Sequence, residues 1–251
     1  MLTVLHVAPH PDDESIGAPC SLLQLASTGA RVVVVACALG RASDRARRHR
    51  ELVEASRVGG FELVVRDPPA ALGSRDDLPA SRRTLTPWLA GLIDEHCADL
   101  VISPQLHDVH PAHETVAEAV RDAIVRSRRP PIWWAWGIWS DLRNPTLLFP
   151  CAAMLQQRAE RMLACHRGEL ARNDYAELVR AAGRLAATRG VERVLGFGSA
   201  ALPGVHHAEL FTELGWVDHR WRFGVPRVSP DLALPGDWGS DATRFVTRRS
   251  P

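Results

Sequence analysis

Residues 31–37 read RVVVVAC. Six consecutive apolar positions, four of them β-branched, leave no side of the segment for water. The stretch therefore reads as a strand covered on both faces inside a parallel sheet. Upstream, residues 2–8 form a second short apolar run of strand length. Between the two, residues 15–28 place Ile16, Leu22, Leu23, Leu25 and Ala26 on roughly one helical face, with Gly29 as a stop. Downstream the alternation continues. A charged helix at 43–58 ends in Gly59-Gly60, a third strand covers 61–65, and a loop or lid with three prolines covers 67–81. A helix at 84–96, a strand at 100–103, a helix at 112–126 and a tryptophan-rich strand at 132–139 follow. Strands alternating with helices predict βαβ units: an α/β, Rossmann-like, doubly wound, mostly parallel sheet. Beyond Asp141 the pattern weakens. Two helices are expected over 154–187, broken near 172–174, and an irregular elaboration over the last 55 residues. With no internal repeat or low-complexity linker, 1–251 reads as one domain, a core over 1–140 and a C-terminal cap over 141–251.

Composition narrows the function. The 251 residues are 46% hydrophobic and 24% charged, the balance of a globular protein. Thirty basic against 29 acidic residues leave a formal charge of +1, without the basic excess of a nucleic-acid binder. Every basic residue is Arg, the mark of a high-GC coding bias. No apolar run reaches the ~18–20 residues of a membrane span, and residues 1–9 lack the charged start of a signal peptide. Five cysteines, odd in number and without C-x-x-C spacing, argue against a disulfide framework or a structural Cys-zinc site. They point to a reducing cytoplasm.

Two polar clusters carry the chemistry. The first, His10-Pro11-Asp12-Asp13-Glu14, follows the first strand. Three acids beside a buried strand call for compensation, and a divalent metal supplies it. His10 and Asp13 can converge on one ion while Asp12 points elsewhere; equally, Asp12 or Asp13 can serve only as a helix N-cap. The second, His107-Asp108-Val109-His110-Pro111-Ala112-His113-Glu114, follows the fourth strand. In a 3-2-1-4-5 sheet the first and fourth strands are neighbours at the switch point, where such folds bind ligands. The clusters therefore meet as a His-Asp-His metal site with an open position, as in catalytic zinc sites. His107 reads as a surface loop residue. The turn after the first strand lacks G-x-G-x-x-G, against a nucleotide-dependent dehydrogenase.

These residues resemble the LmbE/PIG-L family of zinc-dependent N-deacetylases. Ala8 with His10-Pro11-Asp12-Asp13-Glu14 resembles its A-H-P-D-D-E signature, and His110-Pro111-Ala112-His113 its H-P-D-H motif. Arg48-x-x-Glu51 with Val58-Gly59-Gly60, and Ala208-Glu209-Leu210-Phe211, resemble its R-x-x-E helix and A-E-x-F segment. The resemblance implies one Zn²⁺ per chain on His10, Asp13 and His113. It implies Asp12 as general base, His110 as the group supporting or protonating the tetrahedral intermediate, and Arg48 as a substrate contact. The implied substrate is an N-acetylated amino sugar or its glycoside, from a thiol-cofactor or glycosylated natural-product pathway. An amidase for a bulkier acyl or cysteinyl amide, or a non-catalytic metal-binding homologue, is the alternative. The small-molecule substrate is the only partner implied; a homo-oligomer stays open. Three positions depart from the family: Ala112 replaces Asp, Pro19-Cys20 replaces a Gly-Gly pair, and Asp108 stands where some relatives have Tyr.

Other features read more blandly. Arg41, Arg45, Arg47 and Arg50 form a solvated helix face, and Arg48 can instead pair with Glu51. By alternation Trp134 and Trp136 share one strand face and Trp133 and Trp139 the other; one face reads as core, and the other, if it opens on the crevice, can stack on a sugar or an aromatic aglycone. His206, His207 and His219 read as surface or supporting residues, and Cys165-His166 lacks a partner motif for a thiol nucleophile.

Overall fold

A computed structural model describes residues 1–229 and 238–247. The apolar run at 31–37 becomes β2 (Arg31–Ala36), buried at every position except Arg31. It pairs in parallel with β1 (Thr3–Ala8) on one side and β3 (Glu62–Val65) on the other. Beyond β1 lie β4 (Leu100–Pro104) and β5 (Ile132–Trp136), also parallel. The spatial order is 3-2-1-4-5, with the switch point between β1 and β4.

Alternation splits each strand between two apolar layers. Leu5, Val7, Val33, Val35, Val101 and Trp133 pack with Leu85 and Leu89 of α4 (Leu78–Glu95) and Val116 and Val120 of α5 (Pro111–Arg126). Val4, Val32, Val34, Ile102, Trp134 and Trp136 pack on the opposite face. Their partners are Leu22 and Leu23 of α2 (Pro19–Ser27), Leu52 of α3 (Arg45–Gly59) and Met162 of α6 (Ala153–Leu163). The sheet is doubly wound as the sequence indicates.

Several boundaries differ, each for a local reason. The helix expected at 15–28 is two pieces, α1 (Asp13–Ile16) and α2, because Pro19 starts a helix readily but cannot continue one. Likewise α4 starts at Leu78, with Pro79 in its first turn, so the expected lid shrinks to a loop and one 3₁₀ turn at Arg75–Asp77. The break expected near 172–174 separates α7 (Arg167–Leu170) from α8 (Tyr175–Leu195), and a second break separates α6 from α7.

The largest correction concerns the C-terminal region. Instead of irregular structure, β7 (Ala208–Val217), β8 (Arg220–Gly224) and β10 (Trp238–Asp241) extend the sheet beyond β5 as antiparallel strands. β6 (Leu147–Pro150) pairs with β7 and with β9 (Arg227–Val228), and α9 (Thr243–Thr247) follows β10. Buried polar residues within β7 hide its pattern. Glu213 accepts Trp134 Nε1–H at 2.8 Å and two Arg227 bonds at 2.6 and 2.7 Å, so a charged residue occupies a core position. Part of the expected elaboration, 230–237 and 248–251, lies outside the described residues.

Candidate active site

The chain leaving β1 turns sharply at His10, where the His10 amide donates to Asp13 Oδ2 at 2.7 Å. That bond folds 10–13 so that both side chains face the end of β4. His10 Nδ1 lies 3.4 Å from Asp13 Oδ2, and His113 Nε2 lies 3.4 Å from Asp13 Oδ1. One ligand atom from each of the three residues falls within 4.8 Å of the others. Asp12 occupies the N-cap position of α1 but makes no side-chain capping bond, so the helix-cap reading does not account for it.

The donor set suits a divalent cation. Asp108 Oδ2 binds His113 Nδ1 at 2.7 Å, which leaves Nε2 aimed at Asp13. The other Asp108 oxygen accepts the amides of Ile138, Trp139 and Ser140 at 3.1–3.3 Å, tying the chain after β5 to the site. Burial opposes charge on His113, yet Asp13 and Asp108 outweigh it and push the imidazole up to about 10. His10, Asp13 and His113 are the three residues here that could hold a metal ion between them. Asp13 stays well below the usual carboxylate range although burial acts the other way, because His113 and His10 both favour its charge.

Asp12 lies beside this centre without joining the donor set. Burial first, then the neighbouring Asp13 charge, raises it to about 6, against the pull of His10, Arg48 and His166. Arg48 Nη2 stands 3.7 Å from Asp12 Oδ1, and its Nε is 3.4 Å from Glu169 Oε1. Glu51 pairs with Arg47 instead, at 2.7 Å, which leaves Arg48 free to face the crevice. His110 is lowered to about 4 by burial and by the His113 and His10 rings. Its Nδ1 is buried with no hydrogen-bond partner among the described residues. Ala112 packs into the apolar cluster, and Asp108 serves His113, so neither supplies His110 with a carboxylate.

His10, Asp12, Asp13, Arg48, His110 and His113 line one cavity of about 690 Å³. Trp139, Arg172 and Tyr175 line it as well. A neighbouring cavity of about 410 Å³ shares Ile16 and Trp139 with it. Behind the turn, fully buried Glu14 receives His166 Nε2 at 2.6 Å and Ser15 Oγ at 2.7 Å. Tyr175 opens α8, Arg172 lies between α7 and α8, and His166 precedes α7, all far along the chain from the two clusters, so neither cluster points to them. Arg and His near a helix break were the only signal.

Two expectations are corrected and one is narrowed. His107 is buried, with Nε2 3.3 Å from the Phe245 carbonyl, rather than a surface residue. His207, read as a surface or supporting residue, is buried, which removes the surface reading. The strand stops at Trp136, and Trp133, Trp134 and Trp136 are all core; Trp139, beyond the strand end, is the tryptophan that meets the crevice.

With this geometry in place, residues 5–124 match the family model described as PIG-L, GlcNAc-PI de-N-acetylase. That stretch is a PIG-L family domain. The match holds β1 through α5, and so both polar clusters. Among curated proteins none matches the chain. Solved structures share the fold. An N,N′-diacetylchitobiose deacetylase from Pyrococcus horikoshii aligns at 18% identity and TM-score 0.60, covering 84% of this chain and 83% of that one. A zinc-inhibited form of teicoplanin deacetylase aligns at 15% identity and TM-score 0.62, covering 86% and 99%. A 4-carboxy-2-hydroxymuconate hydratase from Pseudomonas putida KT2440 aligns at 19% identity and TM-score 0.60, covering 93% and 100%. At these identities the likeness concerns architecture, and the fold alone does not choose between amide hydrolysis and hydration.

Proposed function

We propose that this PIG-L domain protein is a single-domain, zinc-dependent amide hydrolase that removes the N-acetyl group of an amino sugar or its glycoside. The observation that carries the reading is the meeting of a His-Asp-His donor set, a carboxylate outside that set and an unpaired histidine in one crevice. His10, Asp13 and His113 would hold the metal. When bound, Zn²⁺ supplies Lewis-acid polarisation of the amide carbonyl and lowers the pKa of water. Asp12, as the carboxylate outside the donor set, accepts the proton from the attacking water and delivers it to the leaving nitrogen. Arg48 keeps Asp12 oriented and meets substrate hydroxyls. His110, neutral and without a carboxylate partner, supports the developing oxyanion as an N–H donor. Products are acetate and a free amine.

The size of the crevice supports a substrate larger than a free monosaccharide. Trp139 sits where the two cavities adjoin and offers an aromatic face, 41% exposed, for a sugar or aglycone. The same room favours, as a second reading, cleavage of a bulkier acyl amide at the same centre. Five unpaired cysteines fit a reducing cytoplasm, and no helix among the described residues is long and apolar enough to cross a membrane.

The deciding experiment is amine release by the zinc-loaded protein on a panel of N-acetylglucosaminides and longer N-acyl analogues. Turnover that is lost on chelation and restored by Zn²⁺ supports the reading. Zinc-replete protein inert on the whole panel but hydrating an enol or alkene acid would overturn it.

A further inference from the structure

Away from the crevice, a second group of soft donors meets in the core. Cys20 lies in the first turn of α2, Cys151 just after β6, and His207 just before β7. All three are buried, and one ligand atom from each lies within 4.8 Å of the others. We propose that Cys20, Cys151 and His207 form a second metal site, for a borderline-to-soft cation of the Zn²⁺ class, with one coordination position open to an adjoining cavity.

The backbone presets this arrangement. The Cys151 amide donates to the His207 carbonyl at 2.9 Å, where β6 and β7 pair Pro150 with Ala208. Glu209, two residues beyond His207, accepts the amides of Cys20 and Ser21 at 2.7 and 2.9 Å and the Ser21 hydroxyl. One carboxylate thus ties the start of α2 to the strand that delivers His207. Gly183 of α8 gives the imidazole its place: a Cβ there would fall inside the His207 ring. That imidazole has no hydrogen-bond partner among the described residues. Tetrahedral zinc with sulfur and nitrogen ligands sets its ligand atoms roughly 3.5–3.8 Å apart, so the group needs to close by only about an ångström.

The surroundings favour a cation over thiol chemistry. The Cys151 thiol is pushed well up by burial and by Glu209, which disfavours a free thiolate. Cys20 shares a hydrogen bond with Cys151 that favours its thiolate, yet burial and Glu209 outweigh it. Neither is therefore poised as a nucleophile. A divalent ion reverses this by taking the place of two protons: each thiol loses one to solvent, and the site's charge is unchanged. The open position faces a cavity of about 240 Å³ bordered by Gln156, Glu160, Arg180 and Arg184, which admits water or a small anionic donor.

The test uses the full-length protein, reduced and stripped of metal, titrated with Co²⁺ and read by absorption. The His-Asp-His centre has no sulfur, so a near-ultraviolet thiolate-to-cobalt charge-transfer band reports only the second site. The band should appear in the wild type, persist in His113→Ala, and be lost in Cys20→Ser and Cys151→Ser. The readout needs no turnover, so it stands apart from the proposed activity. If a cysteine variant does not fold, the wild-type and His113→Ala spectra still decide. Absence of the band from reduced protein with every thiol titratable would overturn the site. So would a Cys20–Cys151 disulfide in the protein as isolated, seen as two missing thiols.

Discussion

At the residue scale, the roles of His113 and Asp108 are separable by experiment. His113→Ala removes one donor of three, and metal analysis should show occupancy of the His-Asp-His centre falling sharply with the fold intact. Asp108→Asn keeps the donors but replaces the carboxylate that orients His113 and gathers three amides after β5. Loss of such a supporting carboxylate costs about 10–100-fold in metal affinity, to be read by competition with a chromogenic chelator. An Asp108→Asn protein with wild-type affinity would show that the backbone alone holds His113. Asp12→Asn should instead retain metal and lose roughly 10²–10⁴-fold in kcat; lost metal would make Asp12 a ligand. Residues in the two clusters could be found by reading because each cluster is continuous in sequence and follows a strand. What the reading could not assign was pairing. Asp108 is two residues before His110 and five before His113, and that it serves His113 rests on a 2.7 Å contact that no spacing encodes. His166 and Tyr175 were invisible for the same reason, arriving from more than 150 residues beyond Glu14 and Asp13.

At the element scale, the contact between the α1–α2 junction and β5 is closely fitted. A Cβ at Gly17 would stand 2.5 Å from the Trp136 ring, which also stacks on His6 and abuts the His113 ring edge. Gly17→Ala should therefore destabilise the protein by about 1–3 kcal/mol, as overpacked cores do, measured by urea unfolding. Unchanged stability would mean that α1 shifts freely. On the opposite face, Arg82 of α4 reaches Glu118 and Asp122 of α5 at 2.7 and 2.6 Å. Burial acts to raise Asp122, but hydrogen bonds from Arg82 and Arg121 prevail and lower it. A carboxylate lowered on folding adds stability that is present above its unfolded value, about 3.9, and lost as pH falls through the folded one. Asp122→Asn should thus be less stable than wild type near neutrality, by roughly 1 kcal/mol or less for so exposed a pair. The gap should close below about pH 4; a constant gap would show that packing, not charge, is lost. The parallel strands were legible because apolar runs and helical faces alternate without interruption. The antiparallel extension was not, since β7 buries Thr212 and Glu213 where a core strand ordinarily carries apolar groups.

At the scale of the whole molecule, the two proposed metal sites would couple metal binding to stability. Asp12 and Asp13 lie side by side, each less than a tenth exposed, and the Asp13 charge acts against ionisation of Asp12 in the metal-free fold. The second group, Cys20, Cys151 and His207, joins α2 to the β6–β7 pair, with its first and last members far apart in the chain. Spacing rules for cysteine metal sites see only near neighbours, so its sequence argued against such a site. An ion that binds only the folded chain at 100 times its dissociation constant adds about 2.7 kcal/mol. At roughly 2–4 °C per kcal/mol for a chain of this size, each filled site should raise Tm by about 5–11 °C. Zinc added to chelator-treated wild type should therefore give the largest shift, His113→Ala and Cys151→Ser smaller ones, and the double variant none. The pattern separates the two sites without reference to catalysis. A shift abolished by His113→Ala alone confines zinc to the crevice, and one abolished by Cys151→Ser alone confines it to the core. A double variant that still responds would place the ion elsewhere and remove both assignments.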